Sequence, residues 1–199
     1  MRIQAGQHKG RKLLSPSGRT TTRPITGAAR KALLSMLEPH LPGALVVDLY
    51  CGTGTLGLEA LSRGAARVCF ADRSRSVLHR LRRNIEALDA AAACTVWCGD
   101  VPAGLAGWLA ELDAPVDVAF VDPPYATARR WAEAGWTGEG EAVLAALAAR
   151  LAEDGRIALR TDGRSEPPPA IAHLAADRVR RHGDMTVAVL APAATGRDG

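Results

Sequence analysis

A chain of 199 residues, 47% hydrophobic and 23% charged, carries enough apolar material for one sizeable core, and its formal net charge is only +4. No apolar run approaches the roughly 18–20 residues that span a bilayer and the N-terminus has no secretion-signal pattern, so a cytoplasmic protein without a membrane partner is expected. Cys51, Cys69, Cys94 and Cys98 have no histidine nearby at metal-ligand spacing, which reads as reduced, structural thiols and no metal.

The charge is unevenly placed. Residues 1–37 hold eight of the 25 basic residues and no Asp or Glu, leaving 17 basic against 21 acidic residues in the remainder. A basic segment of this kind suits a polyanionic partner such as nucleic acid, and a solvated surface arm explains the charge equally well. MRIQA and RKLLS are short strand-like runs joined by GQHKG, so residues 1–24 read as a basic N-terminal β-hairpin or arm ending in the loop SPSGRTTTRP. Thr26 is placed to cap a helix running to about Leu37, which Pro39 and Pro42 close. The main domain then spans 25–192, and 193–199 reads as a flexible tail.

From Ala44 strands and helices alternate. Strands are expected at 44–48, 67–72, 94–98, 116–121 and 155–160, followed by a hairpin of 177–181 with 185–190. Helices are expected at about 55–63, 74–88, 102–112, 139–152 and 168–175. Apolar strands alternating with helices imply a parallel sheet covered on both faces, with ligands outside the strands' carboxyl ends.

Four of those strand ends carry chemistry. In ALVVDLYCGTGTLGLEALSRGA an apolar strand ends at Asp48 and a turn with Gly52, Gly54 and Gly57 opens a helix. Glycines of this spacing bring backbone N–H groups to a nucleotide-like ligand, but Asp48 would repel a pyrophosphate and suits a cationic or hydroxyl-rich ligand. S-adenosylmethionine (SAM) is therefore favoured over a nicotinamide dinucleotide. Asp72, ending RVCFAD, is placed to accept from ribose hydroxyls or to cap the next helix. Asp100, in CGD, is placed to accept from an adenine amino group.

The fourth strand end is the most specific: DVAFVDPPY, with Asp122, Pro123, Pro124 and Tyr125. Two prolines remove two amide donors and fix the turn, so Asp122 and the Pro123 carbonyl can converge on both hydrogens of an exocyclic amine. Tyr125 offers a flat face to the ring that carries the amine. Such an amine is a poor nucleophile, and the remaining work is alignment with a methyl donor.

DLYCGTGTLGLEALSRGA together with DPPY resembles the Rossmann-like, SAM-dependent amino-methyltransferases. With MRIQAGQHKGRKL and TRPITGAARKALLSML the chain is similar to bacterial 16S rRNA guanine-N2 methyltransferases of the RsmD type, over about residues 1–125 and loosely through HGDMTVAVL. The resemblance implies an α/β, class I methyltransferase fold with a seven-stranded, mostly parallel sheet whose last strand is antiparallel. It implies methyl transfer from SAM to the N2 amine of a guanine in 16S (small-subunit) rRNA or a small-subunit assembly particle, by a monomer that uses no metal. Asp48, Gly52, Gly54 and Gly57 would then hold SAM with Asp72 and Asp100, Asp122, Pro123 and Tyr125 would hold the guanine, and Lys9, Arg11, Lys12 and Arg23 would meet RNA. Asn84 also matches a position the family favours. Arg160 departs from the family, which tends to have an acid at the end of the fifth strand, and Leu34 stands where an aromatic is expected.

Other functions compete with this one. DPPY also fits adenine N6 or another guanine N2 in nucleic acid. A protein-glutamine methyltransferase would resemble NPPY instead. An NAD-dependent dehydrogenase would share the glycines and Asp72 but leave Asp48, DPPY and the arm without a use, and a non-catalytic RNA-binding assembly factor would have no use for Asp122 and Tyr125. Arg80, Arg82 and Arg83 read as a solvated helix face. Residues 126–138, with Arg129, Arg130, Trp131 and Trp136, read as a polar segment that either covers the guanine as a lid or simply packs its tryptophans.

Overall fold

The computed structural model describes residues 1–15 and 25–193. Arg23, and most of the expected tail, lie outside them. Along the chain run α1 (Gly27–Leu37), β1 (Leu45–Leu49), α2 (Thr55–Ser62), β2 (Arg67–Asp72), α3 (Arg75–Ala87), β3 (Cys94–Cys98), α4 (Val101–Ala110), β4 (Val116–Val121), α5 (Tyr125–Glu133), α6 (Glu139–Ala148), β5 (Leu151–Asp162), β6 (Leu174–His182) and β7 (Met185–Pro192). The strands form one sheet in the order β3-β2-β1-β4-β5-β7-β6, in which β7 alone runs antiparallel to its neighbours. The fold is the Rossmann-like, class I arrangement that the resemblance implies.

Strand alternation decides which helices cover which face. Val46, Val68, Phe70, Val118, Phe120 and Ala158 point to the layer of α1, α2 and α3, where Leu33, Leu58, Leu78 and Leu81 pack. Val47, Leu49, Ala71, Ala119, Val121 and Leu159 point to the layer of α4, α5 and α6, where Leu105, Trp131 and Leu144 pack. All five residues of β1 are buried, as expected for a central parallel strand. The chain reverses its direction of travel across the sheet between β1 and β4, which leaves a crevice at their carboxyl ends.

Three expectations are corrected. The helix expected to reach residue 152 ends at Ala148, because Leu151 already pairs with Val116, whose N–H donates to the Arg150 carbonyl at 2.8 Å. No helix forms over 168–175: Ile171 and Leu174 bond each other across a tight turn, with Ala172 and His173 at positive φ, and β6 starts at Leu174. The segment 126–138 contains a helix, α5, too short to show a periodicity because it buries only Ala128 and Trp131. Trp131 and Trp136 are both buried; their indole N–H groups donate to Glu139 and to the Glu166 carbonyl, so these rings are packing elements rather than a stacking lid.

Among the described residues the N-terminal arm folds back on itself with a single antiparallel bridge, Arg2 with Lys12, rather than two regular strands, and it packs on the domain. Ile3 and Leu13 are buried in the core. The Gln4 N–H donates to buried Glu59 at 2.8 Å, and the Gln7 N–H donates to the Ser62 carbonyl at 2.7 Å. Gly6 is required here: its φ is +79°, and a Cβ would lie 1.6 Å from the Ser62 carbonyl oxygen. Further along, the buried Asn84 side chain accepts from the Leu14 N–H and donates to the carbonyls of Leu14 and Thr53, tying the arm and α3 to the turn after β1. Not all of the basic segment is presented to solvent. Arg30 is buried and pairs with Glu59 at 3.4 Å, whereas Lys9, Arg11 and Lys12 are exposed.

Candidate active site

The crevice is a cavity of about 470 Å³ bounded on one wall by Gly52, Asp72 and Asp100 and on the other by Asp122, Pro124 and Thr127, with Tyr50, Arg73 and Arg130 also in its lining. A hollow of about 750 Å³ behind α5, lined by Arg129, Trp136 and Arg164 among others, contains none of the site residues expected from sequence.

The glycine turn builds the first wall. Tyr50, Gly52 and Gly54 all have positive φ, so the chain doubles back directly after β1. Gly52 donates its N–H to Asp72 at 3.0 Å, and a Cβ there would meet nothing within 4 Å: this glycine faces open space. Gly54 and Gly57 face the interior. A Cβ on Gly54 would lie 2.3 Å from Leu81, and one on Gly57 would lie 2.4 Å from Phe70, so these glycines let the turn and α2 lie against β2 and α3. Of the three, only Gly52 lines the cavity.

Asp48 stands behind this turn. It is 1% exposed and accepts from the Gly57 N–H at 2.9 Å. Burial pushes its carboxyl up to about 8; the Gly57 N–H opposes that rise, while the carboxylates of Asp122 and Asp72 add to it. Asp72 accepts from the N–H groups of Gly52 and, at 2.8 Å, Ser74. A carboxylate has about four lone-pair positions, so capacity remains on the cavity side. Asp100 precedes α4; its side chain is exposed and makes no capping bond. The Gly99 N–H donates to the Asp72 carbonyl at 3.2 Å, which sets the CGD loop beside the end of β2.

The second wall starts where β4 ends. Pro123 is buried, and the Pro124 carbonyl accepts from Thr127 and Ala128, so the two prolines lead straight into α5 with Tyr125 as its first residue. Asp122 is ion-paired to Arg160 through the arginine Nε, and the same guanidinium lies 5.4 Å from the centroid of the Tyr125 ring. Burial raises the Asp122 carboxyl above its ordinary value, with Arg160 pulling it back down. Asp72, Asp48, Asp122 and Arg160 thus stand at the carboxyl ends of four adjacent strands, β2, β1, β4 and β5, on one face of the sheet.

Sequence reasoning named most of these groups and missed others. Tyr50 and Arg73 line the cavity without having been singled out for that place, and Thr127 and Arg130 line it from the segment expected either to cover the guanine or to pack its tryptophans. Arg160 stood out only as a departure from a pattern. A lone cation ending the apolar run IALRTD, on the strand expected beside DPPY, was the available clue. Lys9, Arg11 and Lys12 lie on the arm and not in the cavity lining.

The family model described as "Conserved hypothetical protein 95" matches residues 1–191. A protein of Bacillus subtilis named putative rRNA methyltransferase YlbH is 30% identical over 189 residues, covering 95% of this chain and 97% of that protein. Ribosomal RNA small subunit methyltransferase D of Escherichia coli is 37% identical over 125 residues, 63% of this chain and 60% of that protein. Among solved structures, the putative methyltransferase yhhF from Escherichia coli superposes with a TM-score of 0.78 at 29% identity, covering 98% of each chain.

Proposed function

We propose that this chain, which belongs to the conserved hypothetical protein 95 family, is a SAM-dependent methyltransferase whose acceptor is an exocyclic amine of ribosomal RNA, the N2 amine of a guanine in 16S rRNA. One observation carries the reading: a single cavity has the glycine turn and Asp72 on one wall and the end of β4, with Asp122 and Pro124, on the other. The similarity to proteins named as rRNA methyltransferases supports the RNA substrate, as does the exposed basic arm.

The cavity fits SAM. With Arg130 paired to Glu139 and Arg160 to Asp122, the wall retains Asp72 and Asp100 against Arg73. That balance favours a ligand with a cationic centre over a pyrophosphate. Gly52 offers open backbone for close approach, Asp72 has lone pairs for ribose hydroxyls, and the Asp100 carboxylate reaches out beside it toward an adenine edge. Asp48 holds the turn from behind through the Gly57 N–H. When bound, SAM supplies a methyl group on a sulfonium, activated for attack by a nitrogen lone pair.

The acceptor wall positions that nitrogen. Asp122 and the Pro123 carbonyl accept from the two amine hydrogens, and the Tyr125 ring lies against the base. This geometry would direct the lone pair at the methyl carbon of a bound donor, whose sulfur would keep the electron pair of the carbon–sulfur bond. The methylated nitrogen then loses a proton to solvent, so no dedicated base is needed. Lys9, Arg11, Lys12 and Arg23 meet rRNA phosphates and bring the base to the cavity.

Mass spectrometric mapping of methylated nucleotides in rRNA from cells with and without the gene tests this directly. Loss of one N2-methylguanine from 16S rRNA, restored by the wild-type gene and not by Asp122→Ala, is the expected result. An unchanged methylation map would overturn the reading, and loss of an N6-methyladenine would reassign the base.

A further inference from the structure

We propose that Arg160 is a positioning residue for the acceptor wall: its buried guanidinium fixes the Asp122 carboxylate and the Tyr125 ring in one frame before the base arrives. The inference rests on the reading of Asp122 and Tyr125 as the groups that hold the amine and its ring.

The placement follows from strand register. Val121 pairs with Leu159 across parallel strands, so Asp122 and Arg160 stand side by side one residue further on. Alternation puts both on the face of Phe120 and Ala158, where Asp122 lines the crevice and Arg160 stands buried behind it. Arg160 is only 4% exposed, in a strand whose neighbours Leu159 and Ala158 are core residues. Burying a cation there costs several kcal/mol unless it is well paired, and an aliphatic residue in its place would spare that cost. What Arg160 supplies instead is geometry. A guanidinium is planar: its Nε edge donates to Asp122 Oδ1 while its face lies over Tyr125 at 5.4 Å. A single rigid group therefore sets both the carboxylate and the ring, and lysine cannot reproduce both contacts.

The charge matters as well as the shape. On the neighbouring strand β1 Asp48 is the carboxyl group closest to Asp122 across the sheet, with Asp72 on β2 one strand further, and among the described residues Arg160 from β5, lying over the Tyr125 ring of α5, is the cation paired with it. Burial already pushes the Asp122 carboxyl upward and the Arg160 charge opposes this. Without Arg160 that opposition is lost and the Asp122 carboxyl rises further toward its protonated form, and a carboxylic acid meets the amine with a donor where an acceptor is needed.

Methyl-transfer kinetics and SAM binding of Arg160→Gln and Arg160→Lys, each checked for folding by thermal melting, test the idea. Arg160→Gln should lower kcat by about 10²-fold, the scale of a misplaced reacting group, with SAM affinity unchanged. The acid limb of its kcat–pH profile should move up, as expected on removing a neighbouring opposite charge. Arg160→Lys should restore the acid limb but not kcat, which separates charge from planar geometry. Wild-type kcat and an unmoved acid limb in Arg160→Gln would overturn the proposal. If Arg160→Gln does not fold, Arg160→Lys decides, and wild-type kcat in that variant would overturn it. The assay runs on whichever RNA amine the wild-type protein methylates, so a wrong base assignment and a wrong role for Arg160 give different results.

Discussion

The two walls of the cavity satisfy their buried carboxylates in different ways. On the glycine-turn wall Asp48 and Asp72 accept from backbone N–H groups of Gly57, Gly52 and Ser74. On the β4 wall Asp122 is held by a side chain, Arg160, that lies 38 residues further along the chain. Backbone donors survive substitution of almost any neighbouring side chain, so the first wall demands glycines and little else. The second depends as well on one side-chain pair, Asp122 with Arg160, and is open to adjustment there. If the glycine-turn wall holds the methyl donor, as proposed, it is a fixed cradle, and the β4 wall is where acceptor chemistry would be tuned.

Separating the walls by mutation is the strongest test of this contrast. Asp122→Ala should reduce methyl transfer by about 10²–10³-fold, comparable to deleting one preorganised hydrogen-bonding group at a reacting centre, and leave SAM affinity unchanged by calorimetry. Parallel loss of SAM binding would mean that the walls act as one. Asp72→Ala should do the reverse. It removes a charged acceptor and releases the Gly52 and Ser74 N–H groups, so SAM affinity should fall by roughly 1–3 kcal/mol. Unchanged affinity would remove Asp72 from the cofactor wall.

The same contrast explains what could be read from the sequence. The glycine turn, Asp48 and Asp72 were legible because their partners are local or lie at the start of the next βα unit, where spacing predicts geometry. DPPY was legible for the same reason. The Asp122–Arg160 pair was not, since it depends on β4 and β5 being neighbours in a particular register. Gly57 looked like part of a ligand loop, yet its missing Cβ makes room for Phe70; spacing alone cannot separate close approach to a ligand from close approach to a strand. Strand boundaries were recovered to within one residue for β1 to β4, the edge strand β3 included. Around 149–175 tertiary pairing overrode local propensity: β5 begins before Gly155, and an Ala-containing run after three prolines became a turn and a strand.

A smaller effect is expected at the arm, which touches neither wall. Its core contacts (Ile3, Leu13, Gln4 with Glu59) leave Lys9, Arg11 and Lys12 facing solvent. Changing all three to Gln should weaken RNA binding and lower the slope of log K against log salt by about two, taking about 0.7 per single-strand phosphate contact. SAM affinity and melting temperature should stay close to wild type. An unchanged salt slope would place the RNA elsewhere on the surface.

The smallest change in catalysis is expected at Asp48, although its burial is the most complete of the site carboxylates. Asp48→Asn keeps an acceptor for the Gly57 N–H, so the turn should persist and SAM affinity should fall less than in Asp72→Ala. The consequence appears in the pH dependence of stability. In the folded protein Asp48 holds its proton up to about pH 8, whereas an unfolded chain releases it near pH 4. Between these values the folded state binds more protons than the unfolded one, so this group's contribution to stability is full at low pH and declines as pH rises toward 8. Asparagine has no such proton. The melting temperature of wild type minus that of Asp48→Asn should therefore decrease steadily from pH 5 to pH 8 and level off above it. The raised carboxyls of Asp122 and Glu59 act with the same sign in both proteins and largely cancel in the difference. A difference that stayed flat across this range would mean that Asp48 is ionised throughout, and the turn would then rest on a buried anion rather than on a neutral carboxyl group.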